Sequence, residues 1–284
     1  MNRFERLINE CTLYNKKVWE IALEEDDATK LLDCAQKSID AMKEAIETGL
    51  RLSELSLSGM CGDDCQRLQE YYKQKPALFG KLYEKIVTYA LATSEENIRM
   101  GKIVACPTAG SCGIVPSVLV AVAEEYDIAD EEQVRALITA GEIGKIISEK
   151  IALAGAVGGC QAECGVASAM AAGAVTQMLG GDVKQIFNAV ALALKNILGL
   201  TCDPVCGLVE VPCVKRNPFL AIHSITACEL ALAGITSKIP LDEVVDAMEE
   251  TAQLMSPNLK ENAKGGLART KTALELQKKI FKEQ

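Results

Sequence analysis

The chain has 284 residues and a mass of 30.5 kDa, which is long enough to bury a substantial core in one large domain or two smaller ones. Hydrophobic residues make up 49% of the sequence but aromatic residues only 4%, so we expect a core of small aliphatic side chains on closely packed helices. The net charge of −9 and the lack of a long run of Lys and Arg argue against nucleic acid as a partner.

The sequence shows no pattern typical of export or of membrane insertion. The first 27 residues lack the apolar stretch of a signal peptide, and the longest apolar stretches are interrupted by polar residues such as Gln161 and Glu163. We therefore expect a soluble cytoplasmic protein without a membrane partner. In that compartment the twelve cysteines are expected to be thiols, some of them metal ligands, and not disulfides.

Hydrophobic periodicity predicts an all-α fold, because strand patterns are scarce. The pattern is helical from Phe4 to about Gly59, and the acidic residues 24–27 mark a break and a new helix start. Further helices are predicted at residues 76–100, 117–126, 131–151, 164–180, 183–199, 218–235 and 242–255, followed by a loop at 256–266 and a charged terminal helix. The Ala- and Gly-rich helix at 164–180 is expected to lie deep in the core.

Local signals add helix starts and a domain division. Asp182 and Asp242 are the predicted N-caps of the helices that follow them. We expect one catalytic domain over residues 1–284, with residues 1–59 as an outer helical layer and residues 101–268 as the core that bears the site.

Five of the twelve cysteines lie within residues 158–217, in two segments that read GGCQAECG and TCDPVCGLVEVPCVKRN. They are Cys160, Cys164, Cys202, Cys206 and Cys213. Glycine and proline interrupt regular structure in both segments, so sulfurs from separate parts of the chain can be directed to one point. This layout predicts a metal site, and a cysteine next to a proline, as at Cys213, also occurs in iron–sulfur ligand runs.

Spacing alone leaves the metal and its ligands open. Cys160 and Cys164 are four residues apart, as are Cys202 and Cys206, and two such pairs would suit a four-thiolate zinc site. Zinc modules of that kind are small and rich in β structure, whereas this sequence predicts a large helical body. The helical setting favours an iron cluster.

Other chemistries find less support in the sequence. The single histidine, His223, lies in an apolar pattern and is interpreted as a hydrogen-bonded helix residue. The sequence therefore gives little support to a mechanism that depends on a catalytic histidine. Phosphate-binding and dinucleotide fingerprints are absent, and so are the alternating strands expected of a pyridoxal phosphate enzyme. Cys61 and Cys65 form another pair, interpreted as part of a turn before a helix, with a second metal site as the alternative.

Residues 101–118 read GKIVACPTAGSCGIVPSV, a short apolar run followed by a loop of small residues that leads into a helix. The backbone N–H groups of such a loop and the hydroxyls of Thr108 and Ser111 can hold an anionic group such as a carboxylate. A tight connection between two helices explains the composition equally well.

Four motifs together give the chain a family resemblance. They are PTAGSCG at 107–113, GGCQAECG at 158–165, LGLTCDPVCGLVEVPCVKRN at 198–217 and KGGLA at 264–268. With these motifs in this order, most of the chain resembles the alpha subunit of iron–sulfur-dependent L-serine dehydratase. The resemblance implies a 4Fe–4S cluster held by Cys160, Cys202 and Cys213, with one iron open to substrate. It leaves Cys164 and Cys206 outside the ligand set.

The resemblance also implies a reaction that converts L-serine to pyruvate and ammonia without pyridoxal phosphate. An open iron can act as a Lewis acid on the substrate hydroxyl, a base removes the α-proton, and the aminoacrylate left after loss of water hydrolyses. Thr108 and Ser111 are the candidates for binding the carboxylate or amino group of the substrate. Lys215, Arg216 and Asn217, next to a ligand cysteine, are further candidates.

The chain departs from the family pattern in two places and lacks one expected domain. Single-chain members end in a cysteine that can approach the cluster, whereas this chain ends in KKIFKEQ, so no tail ligand is predicted. Some relatives have an acidic residue where this chain has Val157. The family's other domain, with a Ser-His-Thr-Ala-Gly motif, is missing here, so we expect a separate beta subunit, a hetero-oligomer and a general base from that partner.

Three other functions stay open on the sequence. A cysteine desulfidase would use the same open iron to release sulfide, and threonine is a further substrate to compare. An electron-transfer or redox-sensing protein would need a fourth protein ligand, either Cys164 or Cys206. A cluster-free helical protein would use its cysteines as small core hydrophobes.

Overall fold

The computed structural model describes residues 3–281 and, over that range, contains helices joined by loops and short turns but no β-strand. The all-α prediction is confirmed. The helices are α1 (Arg3–Tyr14), α2 (Val18–Glu25), α3 (Ala28–Arg51), α4 (Asp64–Gln74), α5 (Gly80–Ile98), α6 (Ile114–Tyr126), α7 (Asp130–Ser148), α8 (Gly155–Gly158), α9 (Val166–Met178), α10 (Val183–Lys195), α11 (Cys213–Leu232), α12 (Leu241–Leu254) and α13 (Lys271–Phe281).

Helix α9 lies at the centre of the molecule, with α6, α7, α10 and α11 packed around it. All of its residues from Val166 to Thr176 are buried, and most are Ala, Gly or Val. Small side chains allow close approach: a Cβ at Gly173 would lie 2.4 Å from Ile143 Cδ1 of α7 and 3.0 Å from Val190 Cγ2 of α10. The prediction that this helix lies deep in the core is confirmed.

Helix α3 begins where the acidic break was predicted, and it packs against α5 and α7. The Asp27 carboxylate accepts a hydrogen bond of 3.1 Å from the backbone N–H of Lys30, which caps the helix. Its apolar stripe, which includes Ile39, Met42 and Ile46, is buried. The assignment of residues 1–59 to an outer layer stays a prediction.

Two helix starts that bear on the site differ from the prediction. Helix α11 begins at Cys213, five residues before the predicted start at 218, and it includes Pro218 in its second turn, where proline has no N–H to donate to a helical hydrogen bond. Helix α9 begins at Val166 and is preceded by a π-helical turn, Gln161–Gly165, which is wider than an α-helical turn.

The two predicted N-caps have different outcomes. Asp182 caps α10 by accepting a hydrogen bond of 2.8 Å from the Gln185 N–H, as predicted. The prediction for Asp242 is wrong, because α12 starts one residue earlier, after Pro240. The Asp242 carboxylate instead accepts hydrogen bonds from the N–H groups of Phe4 and Glu5 at the start of α1.

Within residues 3–281 no helix combines the length and the apolar character needed to cross a bilayer.

Candidate metal centre

Three potential metal ligands converge under the surface of the molecule. The sulfurs of Cys160 and Cys202 and a carboxylate oxygen of Glu163 all lie within 4.8 Å of one another. In the described part of the chain this is the one group of three or more His, Cys, Asp or Glu side chains that lies so close. The alternative of a second metal site at Cys61 and Cys65 therefore finds no support.

The turn that carries Cys160 is fixed by a glycine and a buried amide. Gly159 has a φ of 73°, a conformation that favours glycine, and it allows the chain to reverse between α8 and the π-helical turn. The Gln161 side chain is fully buried; its Oε1 accepts from the Gly199 N–H at 2.8 Å and its Nε2 donates to the Met248 carbonyl at 3.1 Å. Gln161 thus joins this turn to the segment that leads to Cys202.

Cys202 is held from both sides by the loop that follows α12. Its N–H donates to the Leu259 carbonyl at 2.9 Å, and its carbonyl accepts from the Glu261 N–H at 2.7 Å. The next residue, Asp203, accepts a hydrogen bond of 2.8 Å from the Leu267 N–H. The KGGLA motif therefore packs against the cysteine-bearing segment and positions it.

Arg216 connects this segment to Cys160. Its Nη1 donates to the Thr201 carbonyl at 2.8 Å and its Nη2 to Asp203 Oδ1 at 2.9 Å, and the guanidinium also hydrogen-bonds to the Cys160 sulfur. The neighbouring Lys215 is directed elsewhere: its Nζ lies 2.5 Å from Asp64. Of the two adjacent basic residues, Arg216 is therefore the one at the centre.

The remaining cysteines of the two segments differ in position. Cys213, the first residue of α11, is buried, and its thiol interacts electrostatically with Cys160. The Cys164 sulfur lies 4.0 Å from that of Cys160. Cys206 is only half-buried, and its sulfur lies 4.0 Å from the Ala273 carbonyl of α13.

The loop at residues 107–113 lies over Glu163. The Thr108 hydroxyl donates a hydrogen bond of 2.8 Å to Glu163 Oε1, and it lies 3.3 Å from the hydroxyl of Ser111. Ser111 is fully buried and donates to the Cys106 carbonyl within the same loop, at 3.3 Å. Thr108 is thus the predicted hydroxyl residue that contacts the centre, while Ser111 bonds within the loop.

Asn217 attaches this loop to α11. Its Nδ2 donates to the carbonyls of Gly110 and Cys213, both at 2.9 Å, and its Oδ1 accepts from the Gly113 N–H, also at 2.9 Å. All of its contacts are to backbone groups, so Asn217 holds the loop and the first turn of α11 together.

The thiols of the centre have different proton affinities. Hydrogen bonds from Cys164 and Cys202, together with the Arg216 charge, hold the pKa of Cys160 well below its ordinary value. The pKa of Cys202 is raised by its hydrogen bond to Cys160 and by burial. Burial first, and the Cys160 thiolate second, raise the pKa of Glu163 to about 7. Cys160 is therefore the first of these thiols to ionise.

The donor set fits a metal group bound through sulfur. Thiolates with a carboxylate are ligands of zinc and of iron, and thiolates hold iron–sulfur clusters. Gly155 lies directly over the donors: a Cβ there would lie 2.3 Å from Glu163 Oε2 and 2.9 Å from Cys202 Sγ. Glycine at this position therefore allows the backbone of α8 to approach the donors closely.

Glu163 is the residue of the centre that the sequence analysis missed as a site residue. It was noted only as a polar interruption of an apolar stretch. The signal that could have found it is its position inside GGCQAECG, where an acidic residue stands among small residues and between two cysteines. A carboxylate in such a buried stretch needs a hydrogen-bond donor, and the Thr108 hydroxyl supplies one.

The fold and the centre define a helical protein with a buried cluster of potential metal ligands, two thiols and a carboxylate. Residues 13–268 match the serine dehydratase alpha chain family, and the chain belongs to that family. The resemblance drawn from the four motifs is thereby confirmed.

Curated relatives cover the chain over most of its length. The probable L-serine dehydratase alpha chain of Bacillus subtilis (strain 168) is 48% identical over 244 residues, which span 86% of this chain and 81% of the relative. The L-serine dehydratase alpha chain of Peptoniphilus asaccharolyticus is 39% identical over 292 residues, spanning 100% of this chain and 99% of the relative. The L-serine dehydratase of Helicobacter pylori (strain ATCC 700392 / 26695) is 37% identical over 278 residues, but these span only 61% of that longer protein.

Proposed function

We propose that this chain is the alpha component of an L-serine dehydratase, which eliminates water from L-serine and yields pyruvate and ammonia. The observation that carries the proposal is the convergence of Cys160, Cys202 and Glu163 beneath the loop at 107–113, in a member of the serine dehydratase alpha chain family. The names of the relatives support the same reaction.

We further propose that the centre holds a 4Fe–4S cluster through Cys160, Cys202 and Cys213, and that the enzyme needs no pyridoxal phosphate. The three thiols are buried and come from three separate segments, and this supports a shared metal group. When bound, a cluster with three protein thiolates supplies an open iron that acts as a Lewis acid on the substrate hydroxyl. Arg216, whose guanidinium hydrogen-bonds to Cys160, stabilises the negative charge of its thiolate.

The loop at 107–113 is proposed to bind the substrate. Thr108 is its contact residue, because its hydroxyl already faces the centre. Ser111 and Asn217 are proposed to position the loop through the hydrogen bonds that hold it together and to α11. A catalytic role for Lys215 stays a prediction, since its ion pair is with Asp64 on α4.

A separate beta chain is proposed as the partner and as the source of the general base. The relatives that match over 81% and 99% of their length are named alpha chains, which supports a divided enzyme. The one histidine of this chain also agrees with a general base from the partner. Its Nε2 donates a hydrogen bond of 2.9 Å to the Ala193 carbonyl, which joins α11 to α10. This hydrogen bond agrees with the interpretation of His223 as a helix residue.

The experiment is an anaerobic reconstitution of the chain with iron and sulfide, with and without a candidate beta chain. The 2-oxo acid formed from L-serine, L-threonine and L-cysteine is followed together with iron content and cluster absorbance. We expect pyruvate from L-serine only when both chains are present. A cluster that forms but releases nothing from any of the three amino acids would overturn the proposal in favour of electron transfer.

Cysteine variants test the ligand set in the same assay. Cys202→Ala and Cys213→Ala are expected to lose the cluster, because each removes a proposed ligand. Cys206→Ala is the matched control, since its sulfur is turned to α13. Cys164→Ala distinguishes a cluster with three protein ligands from one with four. A retained cluster supports three ligands, whereas a lost cluster would make Cys164, whose sulfur lies 4.0 Å from that of Cys160, the fourth ligand.

A further inference from the structure

The loop between α3 and α4, residues 52–63, is bonded to the segment that carries Cys213. Two serine hydroxyls of the loop donate hydrogen bonds to one carboxylate oxygen, Oε2 of Glu210. The Ser56 hydroxyl lies 2.6 Å from this oxygen and the Ser58 hydroxyl 2.7 Å. The Glu210 side chain is buried, with 7% of the residue exposed. A buried carboxylate three residues before the cysteine therefore joins its segment to the loop.

The loop is fixed on the body of the molecule, so it can hold what it bonds to. The Ser56 N–H donates to the Cys61 carbonyl at 2.8 Å, which closes the loop on itself. Cys61 and Cys65 are fully buried and pack with Leu91 and Ala92 of α5 in a small apolar core. The cysteine pair that the proposed function does not use therefore anchors the loop that carries the two serines.

The same region also contacts the residues on either side of Cys213. Val214 is fully buried in the small apolar core, and Val211 packs against that core. Lys215 Nζ lies 2.5 Å from Asp64, the first residue of α4. The segment around the cysteine is thus held from the side of α4 and α5, by a carboxylate, by apolar contacts and by an ion pair.

We propose that Glu210 is a positioning residue, which fixes the segment before Cys213 and keeps its thiol at the centre. The importance of that position rests on the proposed function, in which Cys213 is a ligand. The backbone of Glu210 has a part in it as well, because its carbonyl accepts the Val214 N–H at 2.9 Å in the first turn of α11. A segment that is fixed in advance loses less conformational freedom when it takes up a ligand.

The first test measures how often Cys213 becomes accessible in the metal-free full-length chain. Alkylation by iodoacetamide, resolved by mass spectrometry, gives a rate for each cysteine, and a buried thiol reacts when its segment opens. Glu210→Ala removes two hydrogen bonds to a charged group, so it should raise the rate at Cys213 about 10- to 100-fold. The rate at Cys11, buried on α1, should change less than about threefold and serves as the internal reference.

Three variants show whether the hydrogen bonds cause the effect. Glu210→Gln loses the same charge but keeps a side-chain oxygen for the two hydroxyls, so it should raise the alkylation rate less than Glu210→Ala does. Ser56→Ala combined with Ser58→Ala removes both donors and should raise it at least as much. Glu124→Ala is the matched control, because Glu124 on α6 also accepts a hydroxyl hydrogen bond, from Tyr89 at 2.9 Å. This control should leave the rate unchanged.

The second test measures the release of iron from the anaerobically reconstituted chain to a chelator. If Cys213 is a ligand, Glu210→Ala should speed the release of iron as well, because a ligand that leaves the centre more often holds the metal less tightly. Circular dichroism shows that each variant is folded before either test.

The outcomes separate the role of Glu210 from the proposed function. An unchanged rate at Cys213 in Glu210→Ala, or an equal rise at Cys213 and Cys11, would overturn the inference, since the equal rise means that Glu210 stabilises the whole fold. Selective alkylation of Cys213 with unchanged release of iron would support the positioning role and remove Cys213 from the ligand set. If the unaltered chain takes up no iron, the proposed centre fails, while the alkylation rates still decide the role of Glu210.

Discussion

At the residue scale, Asn217 shows how much of the centre depends on one amide. It donates two hydrogen bonds and accepts one, all at 2.9 Å, and these bonds join the loop at 107–113 to the first turn of α11. Only an amide offers two N–H donors and a carbonyl acceptor in one planar group of this size. The residue predicted to take part in catalysis therefore has a positioning role that can be tested without substrate.

The substitution Asn217→Asp is expected to destabilise the chain strongly. It leaves the Gly110 and Cys213 carbonyls facing a carboxylate oxygen in a buried site, where unsatisfied acceptors and an unpaired charge together cost about 3 to 5 kcal/mol. Urea unfolding measures the change. Asn196→Asp is the control, because Asn196 is exposed and donates to a single carbonyl, that of Leu192; it should cost less than about 1 kcal/mol. Similar losses in both variants would contradict the positioning role.

Glu95 makes stability depend on pH. Its Oε1 accepts from the N–H groups of Asp64 at 2.7 Å and Cys65 at 3.2 Å, while its Oε2 has no hydrogen-bond partner and lies 3.7 Å from Arg99. The side chain is fully buried, and burial raises the pKa of Glu95 above its ordinary value of 4.5. The folded chain therefore holds this proton to a higher pH than the unfolded chain does.

The sign of the effect follows from linkage. The contribution of protonated Glu95 is fully present below the pKa of the unfolded chain and is lost as pH rises through the higher pKa of the folded chain. The free energy of unfolding of the unaltered chain and of Glu95→Gln is measured with urea at steps from about pH 4 to pH 7. As pH rises, the variant should become more stable relative to the unaltered chain. A difference that stays constant over this range would show that Glu95 keeps an ordinary pKa.

At the scale of helices, glycine sets how closely α3 and α5 approach. A Cβ at Gly49 of α3 would lie 2.2 Å from the backbone oxygen of Ala92 on α5. Backbone atoms cannot move aside as a flexible side chain can, so the two helices would have to separate. Gly141, on the exposed side of α7, has no atom within 4 Å of the place where a Cβ would be.

The two glycines give a matched pair of substitutions. Both lie inside helices, where a change to Ala improves helix propensity by about 1 kcal/mol. Gly141→Ala should therefore stabilise the chain by about 0.5 to 1 kcal/mol. Gly49→Ala should destabilise it by about 1 to 3 kcal/mol, because overpacking outweighs the propensity gain. Thermal unfolding of both variants measures these changes in stability. A Gly49→Ala variant that is more stable than the unaltered chain would show that α3 and α5 can separate without loss of stability.

Elements were predictable from sequence where their signals are local. Asp182 caps the helix that directly follows it, as predicted from the neighbouring residues, and α3 begins at the predicted acidic break. Asp242 failed because its partners, the N–H groups at the start of α1, are distant in sequence. The start of α11 was predicted five residues too late, and Pro218, the first residue of the predicted helix, lies inside its second turn.

The site shows the same limit. The resemblance provided Cys160 and Cys202, and the structure brings their sulfurs together. The structure does not test the full ligand set. Glu163 was missed because its hydrogen bond to Thr108 joins residues 55 positions apart, and no local pattern indicates such a pair.

At the scale of the whole molecule, the centre lies where separate segments meet beside the buried helix α9. They are the loop at 107–113, the turn at 155–165, the segment at 198–203, the start of α11 and the loop at 256–268. Hydrogen bonds between backbone groups and a few side chains join them. Such segments open more readily than packed helices, and a metal group bound across them should suppress that opening.

Native-state hydrogen exchange, recorded with and without the cluster, should therefore change in a local pattern. Loading is expected to slow exchange of the amides at 155–165 and 198–203 by at least about tenfold, because a ligand that binds only the closed segments stabilises them by mass action. Amides of α3 and α5 should keep their rates, since their close contact at Gly49 and Ala92 does not involve the centre. Cys202→Ala, taken through the same reconstitution, should show no slowing. Slowing spread equally over all helices would mean that the cluster stabilises the fold as a whole, and slowing confined to other loops would place the metal outside the centre formed by Cys160 and Cys202.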